Sequence, residues 1–276
     1  MSGDPAVVQM AGLALPESIK GRIRPLYQRA SRRYITATGE PFTFEHGGET
    51  HTLKATKETA WAFNGLVEGG QITREGIPID VLDLDDRFDR ALDIGAHHGI
   101  YSVLLGLLNP GLYLTAFEPE KRNRAVCREV LLKNDIDASV RRQVVTDTSG
   151  VTEFFVAPED GSESHTLTPT DGFDRVEKPS IALSDEIDDS ETAFVKIDVE
   201  GAEWQILSDL VDSDATLSGL VELHPDKLPV ATDDVLALLD REFETVEFLG
   251  DTSPNHPAAD RIDHPHNRPM YHFDRP

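Results

Sequence analysis

The feature that most constrains the fold is a pair of short apolar segments, each of which ends in a carboxylate followed by a glycine. The first reads Leu92-Asp-Ile-Gly-Ala-His-His-Gly99, and the second reads Val195-Lys-Ile-Asp-Val-Glu-Gly-Ala-Glu203. An apolar run that stops at a polar residue is typical of a buried parallel strand that reaches the edge of a sheet. Two such segments predict an α/β fold with a ligand across the carboxyl ends of its strands.

Strand-like and helix-like segments alternate through the middle of the chain. The pattern predicts strands at 90–94, 112–117, 139–145, 193–197 and 219–223, with helices at 100–108, 123–134 and 202–211. A strand at 151–156 and a final pair at 243–249 and 270–273 are also predicted. The βαβ order favours a mostly parallel sheet with helices on both faces, as in a Rossmann-like fold.

The remaining segments set the expected domain organisation. We expect an N-terminal helical extension over 1–45 and one α/β domain over 46–276, which begins with strands at 49–55 and 79–84 around a helix at 58–69. Residues 157–180 are polar and rich in Gly, Pro, Ser and Asp, which predicts a mobile loop, either a plain connector or a substrate lid. Residues 251–269 are expected to form an irregular tail.

Charge and cysteine content limit the partners and the compartment. The chain has 50 acidic and 26 basic residues, a formal net charge of −24. An acidic excess spread along the chain indicates a halophilic protein. At molar salt the Debye length is only about 3 Å, so the repulsion between the acidic residues is screened. An ordinary acidic protein is the alternative. Nucleic acid and anionic membranes are poor partners for this field. One cysteine, no secretory signal and no apolar run of about 20 residues predict a cytoplasmic protein without membrane insertion.

Acidic residues and glycines after successive strands indicate a cofactor site. Asp93, Gly95 and Gly99 form a tight turn before a helix, which suits a ligand that carries an ammonium group. Glu118 follows the next strand and is placed to accept the hydroxyls of a ribose. Asp147 follows the third strand and could bind an adenine amino group, although its surroundings are also ordinary turn chemistry. The ribose signal suits NAD as well as S-adenosylmethionine.

A second polar group is predicted at the ends of the later strands. Asp198 and Glu200 point the same way along one strand, as do Glu222 and His224 on the next. Such a group can hold a general base, with His224 the first choice and Glu200 the next, or a divalent cation. The alternative is structural: Glu200 and Glu203 cap the following helix, and Glu222 pairs with an arginine. No residue is assigned as a metal ligand.

The second segment, together with Asp-Ile-Gly-Ala-x-x-Gly-Ile-Tyr-Ser102, Phe-Glu-Pro119 and Glu-Leu-His-Pro225, resembles the FkbM family of methyltransferases. The resemblance implies a class I methyltransferase fold with a seven-stranded sheet, S-adenosylmethionine as methyl donor, and a hydroxyl on a sugar or similar small molecule as acceptor. It also implies roles for the site residues, with Asp93, Gly95 and Gly99 at the methionine part, Glu118 at the ribose, Asp147 at the adenine and Asp198 nearest the transferred methyl.

One residue departs from the family pattern, since His97 stands where Asn is common. An imidazole can replace the amide as a hydrogen-bond donor to the cofactor, but it is bulkier and titrates near neutrality. Two other classes of function stay open beside an O-methyltransferase acting on a small-molecule or glycan acceptor: an NAD-dependent oxidoreductase and a non-catalytic cofactor-binding protein. The oxidoreductase would normally have a third glycine in the turn, which this chain lacks.

Overall fold

A computed structural model describes residues 41–68, 71–72, 78–158, 165–213, 215–251 and 268–275 of the chain. The chain divides into two compact units, Met1–Thr73 and Arg74–Pro276. Within the described residues, no helix has both the length and the apolar character that crossing a membrane requires.

The first unit contains a hairpin of β1 (Phe42–His46) and β2 (Glu49–Leu53), joined by Gly47 and Gly48. A helix, α1 (Ala60–Leu66), and a short pair, β3 (Val67–Glu68) with β4 (Gln71–Ile72), follow. The helical extension expected over 1–45 lies outside the described residues up to position 40. Its last residues were predicted wrongly, because residues 42–45 belong to β1. The alternation of aromatic and polar residues from 42 to 45 favours a strand over a helix.

The second unit is built around a seven-stranded, mostly parallel sheet with the strand order β13-β14-β12-β11-β5-β6-β7. Its parallel strands are β5 (Arg90–Ile94), β6 (Tyr113–Phe117), β7 (Ala138–Arg141), β11 (Thr192–Ile197) and β12 (Thr216–Glu222). β14 (Pro269–Arg275) runs antiparallel to both β12 and β13 (Thr245–Asp251). The predicted α/β fold is therefore confirmed.

The helices of this unit divide between the two halves of the sheet. They are α2 (Ile79–Leu82), α3 (Ile100–Leu108), α4 (Lys121–Lys133), α5 (Glu203–Asp209), which continues as a 3₁₀ turn (Leu210–Asp212), and α6 (Thr232–Glu242). α3 contacts α4, and α5 contacts α6. The chain moves outward from β5 to β7 and then returns to β11 and β12 on the other side, so right-handed crossovers place the two helix pairs on opposite faces.

A smaller three-stranded sheet lies beside the main one. It has the order β8-β10-β9, with β8 (Val144–Thr146), β9 (Gly150–Val156) and β10 (Asp174–Ala182). One strand was predicted over 139–145, but the chain leaves the main sheet after Arg141, so this segment is divided between β7 and β8. The expected loop over 157–180 was wrong from 174 onward, because β10 pairs along its length with β9. Most β10 side chains are partly or fully exposed, which hid its strand pattern.

One further expectation differs from the structure, and another lies mostly outside the described residues. The segment from 79 was predicted as a strand but forms the short helix α2. The irregular tail over 251–269 falls on undescribed residues, except at its ends, where β13 stops and β14 starts. Both final strands of the predicted pair are confirmed: β14 pairs with β12, and β13 pairs with β14 at the edge of the sheet.

Candidate active site

The two motif segments meet at the point where the order of the sheet reverses. β5 and β11 are neighbours, with Ile94 opposite Ile197, and the Asp198 amide donates to the Ile94 carbonyl at 3.1 Å. Gly95 has a φ of +80°, and a Cβ added there would lie 1.8 Å from the Asp198 carbonyl oxygen. Only glycine allows this approach. Such a switch point is where open α/β sheets bind ligands.

Asp93 supports this junction from inside the protein. Its side chain is fully buried, and its Oδ2 accepts a 2.5 Å hydrogen bond from Ser102 Oγ in α3. Its Oδ1 lies 3.3 Å from Lys196 Nζ. Both oxygens therefore face protein groups, and the Asp93 side chain supports the glycine turn from within the protein.

Lys196 ties the two segments together and was not singled out from the sequence. Its buried Nζ lies 3.2 Å from Asp198 Oδ2 as well as close to Asp93, and 4.8 Å from the centre of the Tyr101 ring. Burial opposes its charge, but the Asp198 and Asp93 carboxylates outweigh burial and raise the pKa of Lys196. A lysine inside an apolar strand, two residues before a carboxylate, was the signal that could have identified it.

Glu118 lies at the end of β6 and is also buried. Its Oε2 accepts a 2.8 Å hydrogen bond from the His97 amide, and its Oε1 accepts one of the same length from the Glu120 amide. Burial nevertheless raises the pKa of Glu118 to about 7. Among the described residues, no lysine or arginine forms an ion pair with its carboxylate. The predicted ribose acid is thus a carboxylate held by backbone donors alone.

His97 stands beside Glu118 in the glycine turn. Its backbone has a φ of +49°, which few non-glycine residues adopt. Burial, together with the neighbouring His98 ring at 3.9 Å, lowers the pKa of His97 to about 3, so the imidazole is neutral. Its buried Nε2 has no hydrogen-bond partner among the described residues. A neutral ring with an unsatisfied nitrogen is suited to a bond with a bound ligand.

One cavity of about 290 Å³ connects these groups. It runs from Glu118 past the glycine turn to Asp198 and Glu200, both of which line it. Its other lining residues include Gly95, His97, Asn123, Gln143, Phe154, His165 and Leu167. The structure therefore brings five of the sequence-predicted residues, from three strand ends, to one space of a size suited to a small-molecule ligand.

Three predicted cofactor residues do not line this cavity, and Asp93, which lies beneath it, is one of them. Gly99 begins α3, and a Cβ there would lie 2.9 Å from Cys127 Sγ, so its role is close helix packing. Asp147 is exposed and accepts hydrogen bonds from the hydroxyls of its neighbours Thr146 and Thr148. Because β7 ends at 141, the residue that reaches the cavity after that strand is Gln143, which the sequence reasoning missed.

The groups beyond the cavity form a network around His224. The register that pairs Ile197 with Val221 places Asp198 beside Glu222, and His224 follows on the same side. The buried His224 ring has its Nδ1 2.6 Å from Glu203 Oε1, and the Gly201 amide donates to the same carboxylate at 3.2 Å. An ionised carboxylate only accepts hydrogen bonds, so Nδ1 donates. Glu203 thereby fixes the ring orientation.

Charge is strongly coupled within this network. Burial favours a neutral His224, but the nearby carboxylates of Glu200 and Glu203 hold its pKa well above the usual value. Glu200 forms an ion pair with Lys227, and its pKa lies well below the usual range because His224 and Lys227 outweigh its burial. His224 is therefore protonated within this network, and it can act as a base only when some of this negative charge is compensated.

Part of the expected loop lies across the end of β11. Thr166 Oγ1 donates to the Glu200 carbonyl at 2.5 Å, and Thr166 also pairs with Phe155 of β9. Glu200 itself has a φ of +56°, so this bond holds a backbone conformation that a non-glycine residue rarely adopts. His165 and Leu167, on either side, line the cavity. This segment thus forms one wall of the candidate site.

The sequence matches the methyltransferase FkbM domain over residues 93–245, which is more than half of the chain. The match contains every residue of the candidate site described above. Together with the seven-stranded sheet, it identifies the second unit as a Rossmann-like class I methyltransferase fold. No curated protein matches the chain in sequence.

Several solved methyltransferase structures are similar in fold. Precorrin-6y C5,15-methyltransferase from Geobacter metallireducens is 12% identical with a TM-score of 0.44, over 81% of this chain and 94% of that one. An S-adenosylmethionine-dependent O-methyltransferase from Thermotoga maritima is 13% identical, with a TM-score of 0.43 over 86% and 77%. A Pyrococcus abyssi tRNA (uracil-54, C5)-methyltransferase, solved with S-adenosyl-L-homocysteine, is 10% identical, with a TM-score of 0.41 over 86% and 44%. At these scores the likeness carries no argument about the acceptor.

Proposed function

The chain belongs to the FkbM methyltransferase family, and we propose that it transfers a methyl group from S-adenosylmethionine to a hydroxyl oxygen of a small-molecule or glycan acceptor. The observation that carries the proposal is the single cavity on which Glu118, the glycine turn and Asp198 converge. These groups reach it from three adjacent strands, at the position where such sheets bind ligands.

The lining of the cavity suits S-adenosylmethionine in chemistry as well as in position. The donor carries a positively charged sulfonium and a ribose with two hydroxyls. Asp198 and Glu200 supply negative charge at one end, and Glu118 supplies two acceptor oxygens at the other. Gln143 and Asn123 provide amide groups beyond Glu118, where an adenine ring could be bound. We therefore assign the adenine contact to Gln143 and not to Asp147.

Methyl transfer requires the reacting groups to be held in line and kept from water. The acceptor oxygen bonds to the methyl carbon as the carbon–sulfur bond breaks, and the hydroxyl proton passes to a base. The chain offers Asp198, Glu200 and His224 at the strand ends where the acceptor would lie. His165 and Leu167 close the cavity from the opposite wall. Neutralising some of the carboxylate charge near His224 would allow that ring to accept a proton.

The negative net charge of the chain supports the proposed class of acceptor. A chain with a net charge of −24 repels polyanions, so a neutral small molecule or a glycan is favoured over nucleic acid. The same excess is the reason to work in molar KCl, since we propose that the chain is adapted to high salt.

Radiolabel transfer tests the function and the acceptor class together. Purified chain in molar KCl would be incubated with methyl-tritiated S-adenosylmethionine and separate pools of glycans, polar small molecules and RNA. The expected result is label in the glycan or small-molecule pool, lost in Asp198→Ala and retained in Asp147→Ala. Label only in RNA would contradict the proposed acceptor. No label in any pool from a chain that binds the donor would favour the non-catalytic alternative.

A further inference from the structure

The ends of β11 and β12 carry a group of side chains of which the proposed donor site uses only Asp198. One ligand atom from each of Asp198, Glu222 and His224 lies within 4.8 Å of the others. Divalent cations bind nitrogen and oxygen ligands at about 2.0–2.3 Å, so three ligands spread evenly around one ion lie about 3.5–4 Å apart. A contraction of at most about 1 Å would bring all three atoms onto a shared ion.

The orientation of the buried His224 ring points independently to a ligand. Its Nδ1 is bound to Glu203, so its Nε2 is the nitrogen directed at the carboxylates. Nε2 lies 3.7 Å from Asp198 Oδ1 and 3.5 Å from Glu200 Oε1, which is long for hydrogen bonds to a charged group. A histidine whose second nitrogen is bound by a buried carboxylate is the usual arrangement of metal-ligating histidines.

Geometry selects the third residue of the group. Lys227 pairs with Glu200, and Lys196 pairs with Oδ2 of Asp198, so Oδ1 of Asp198 lies on the side of His224. Asp198 and Glu222 are adjacent because β11 and β12 pair in parallel up to Ile197 and Val221. The group whose ligand atoms all lie within 4.8 Å of one another contains Glu222 and not Glu200.

We propose that Asp198, Glu222 and His224 bind a divalent cation of the first transition row. Two carboxylates and one imidazole form a mixed oxygen and nitrogen set, which suits Mn²⁺ or Zn²⁺ better than an all-oxygen ion such as Ca²⁺. The role of the cation deepens the proposed methyl transfer and depends on it, because a cation beside the cavity would polarise an acceptor hydroxyl and lower its pKa. His224 then serves as a ligand and not as the general base.

Cation binding can be measured without any acceptor. Mn²⁺ would be titrated into the full chain, freed of metal by chelation, in molar KCl, which screens diffuse attraction to the acidic surface. Binding would be read by calorimetry and by loss of the free-ion electron paramagnetic resonance signal. We expect one saturable Mn²⁺ site per chain.

Two single-charge variants make the test specific. Glu222→Gln removes a proposed ligand and should weaken Mn²⁺ binding at least tenfold, whereas Glu247→Gln removes an exposed carboxylate on β13 and should leave binding unchanged. Circular dichroism of both variants would show that they are folded. Absence of saturable binding, or equal affinity in both variants, would overturn the inference and leave His224 as an imidazolium paired with its carboxylates.

The donor distinguishes this inference from the proposed function. The S-adenosylmethionine affinity of the wild type should be nearly the same in excess chelator as in its absence. The reason is that Glu118 and the glycine turn do not contact the cation. Donor binding without Mn²⁺ binding would contradict the cation site and leave the proposed function in place. Mn²⁺ binding without donor binding would support the cation site and contradict the methyltransferase assignment.

Discussion

The two ends of the cavity are both acidic and largely buried, but they are stabilised in different ways. At one end, Glu118 accepts hydrogen bonds from two backbone amides, and burial raises its pKa to about 7. At the other end, Glu200 is paired with Lys227 and His224, and its pKa lies well below the usual range. The first end is suited to uncharged hydroxyl donors, and the second keeps its charge.

This difference corresponds to the two tasks of a methyl transfer site. A carboxylate without a cationic partner can exchange its interactions for those of a ribose, which is neutral. A network of paired charges resists reorganisation and can hold a sulfonium or a cation in a fixed place. Changes to the paired charges at one end, to the ionisation of Glu118 at the other, and to the contacts between the strand ends should therefore have different effects.

The largest effect is expected from Lys196→Met, which deprives the charged end of the cation between Asp93 and Asp198. Removal of one partner from a buried charge network typically costs about 3–5 kcal/mol. We expect a loss of that size in the free energy of unfolding, measured by urea titration in molar KCl. Lys121→Met, at an exposed position at the start of α4, should change stability by less than about 0.5 kcal/mol. Similar losses in both variants would mean that Lys196 is not a central support.

Gly95→Ala separates the two ends at the point where they touch. A new Cβ would clash with the Asp198 carbonyl, whereas Gly172 has nearly the same φ, +81°, and open space around its Cβ position. The left-handed backbone alone costs about 1–2 kcal/mol in either variant. The free energy of unfolding of Gly95→Ala should therefore be about 2 kcal/mol lower than that of Gly172→Ala. Gly95→Ala should also lose donor binding. Equal stabilities by thermal unfolding would show that the strand ends are not packed as described.

The pH dependence of donor binding tests the isolation of Glu118. Its pKa of about 7 means that the carboxylate form, which accepts from the ribose hydroxyls, is lost as the pH falls through 7. Between pH 8 and pH 6 the ionised fraction drops from about nine-tenths to one-tenth, so donor affinity should fall about tenfold. Glu118→Gln cannot titrate and should bind weakly with a flat profile over this range. A flat profile in the wild type, measured by calorimetry at several pH values, would contradict this role.

The same shift has a consequence for stability without donor. The folded pKa of Glu118 is raised above its unfolded value, so its contribution favours folding most below pH 4.5 and is lost as the pH rises through 7. Saturating donor should oppose this loss above pH 7, because it supplies hydrogen bonds to the carboxylate. The stabilisation by donor, read as a shift in unfolding temperature, should thus be larger at pH 8 than at pH 6.

The smallest effect is expected from Thr166→Val, which removes the hydroxyl that binds the Glu200 carbonyl. The same hydroxyl accepts a hydrogen bond from the Thr168 amide at 2.9 Å, and the two bonds together contribute about 1–2 kcal/mol. Urea unfolding should show a loss of that size, while Thr170→Val, at an exposed position, should show less. A larger loss of donor affinity than of stability would indicate that the segment also shapes the cavity.

Sequence reasoning was most successful where one local pattern decides the structure. The strand that carries Leu92 and the helix that follows Gly99 were predicted with their observed bounds, because a fully buried strand and an amphipathic helix have strong signals. The prediction that both motif segments reach one ligand site followed from the rule that ligands bind at the carboxyl ends of parallel strands. The confirmed family relationship depends on the same segments.

The errors arose where tertiary pairing decides the structure. The position of Asp147 was wrong for the cavity because the end of β7 is set by its pairing with β6 and by departure into a second sheet, which no local signal marks. Lys196 was overlooked because its partners lie about a hundred residues apart. The ionisation of His224 could not be predicted either, since it depends on the carboxylates of Glu200 and Glu203, which only the folded chain brings to the ring.

The central claim is that the cavity from Glu118 to Asp198 binds S-adenosylmethionine. The most direct test is calorimetric titration of the donor into the wild type, Glu118→Ala and Asp147→Ala in molar KCl at pH 8, with NAD as a competing ligand. We predict saturable binding to the wild type that NAD does not displace, a loss of about 30-fold in Glu118→Ala, equivalent to about 2 kcal/mol, and no change in Asp147→Ala. Displacement by NAD, or binding that Glu118→Ala leaves intact, would contradict the account.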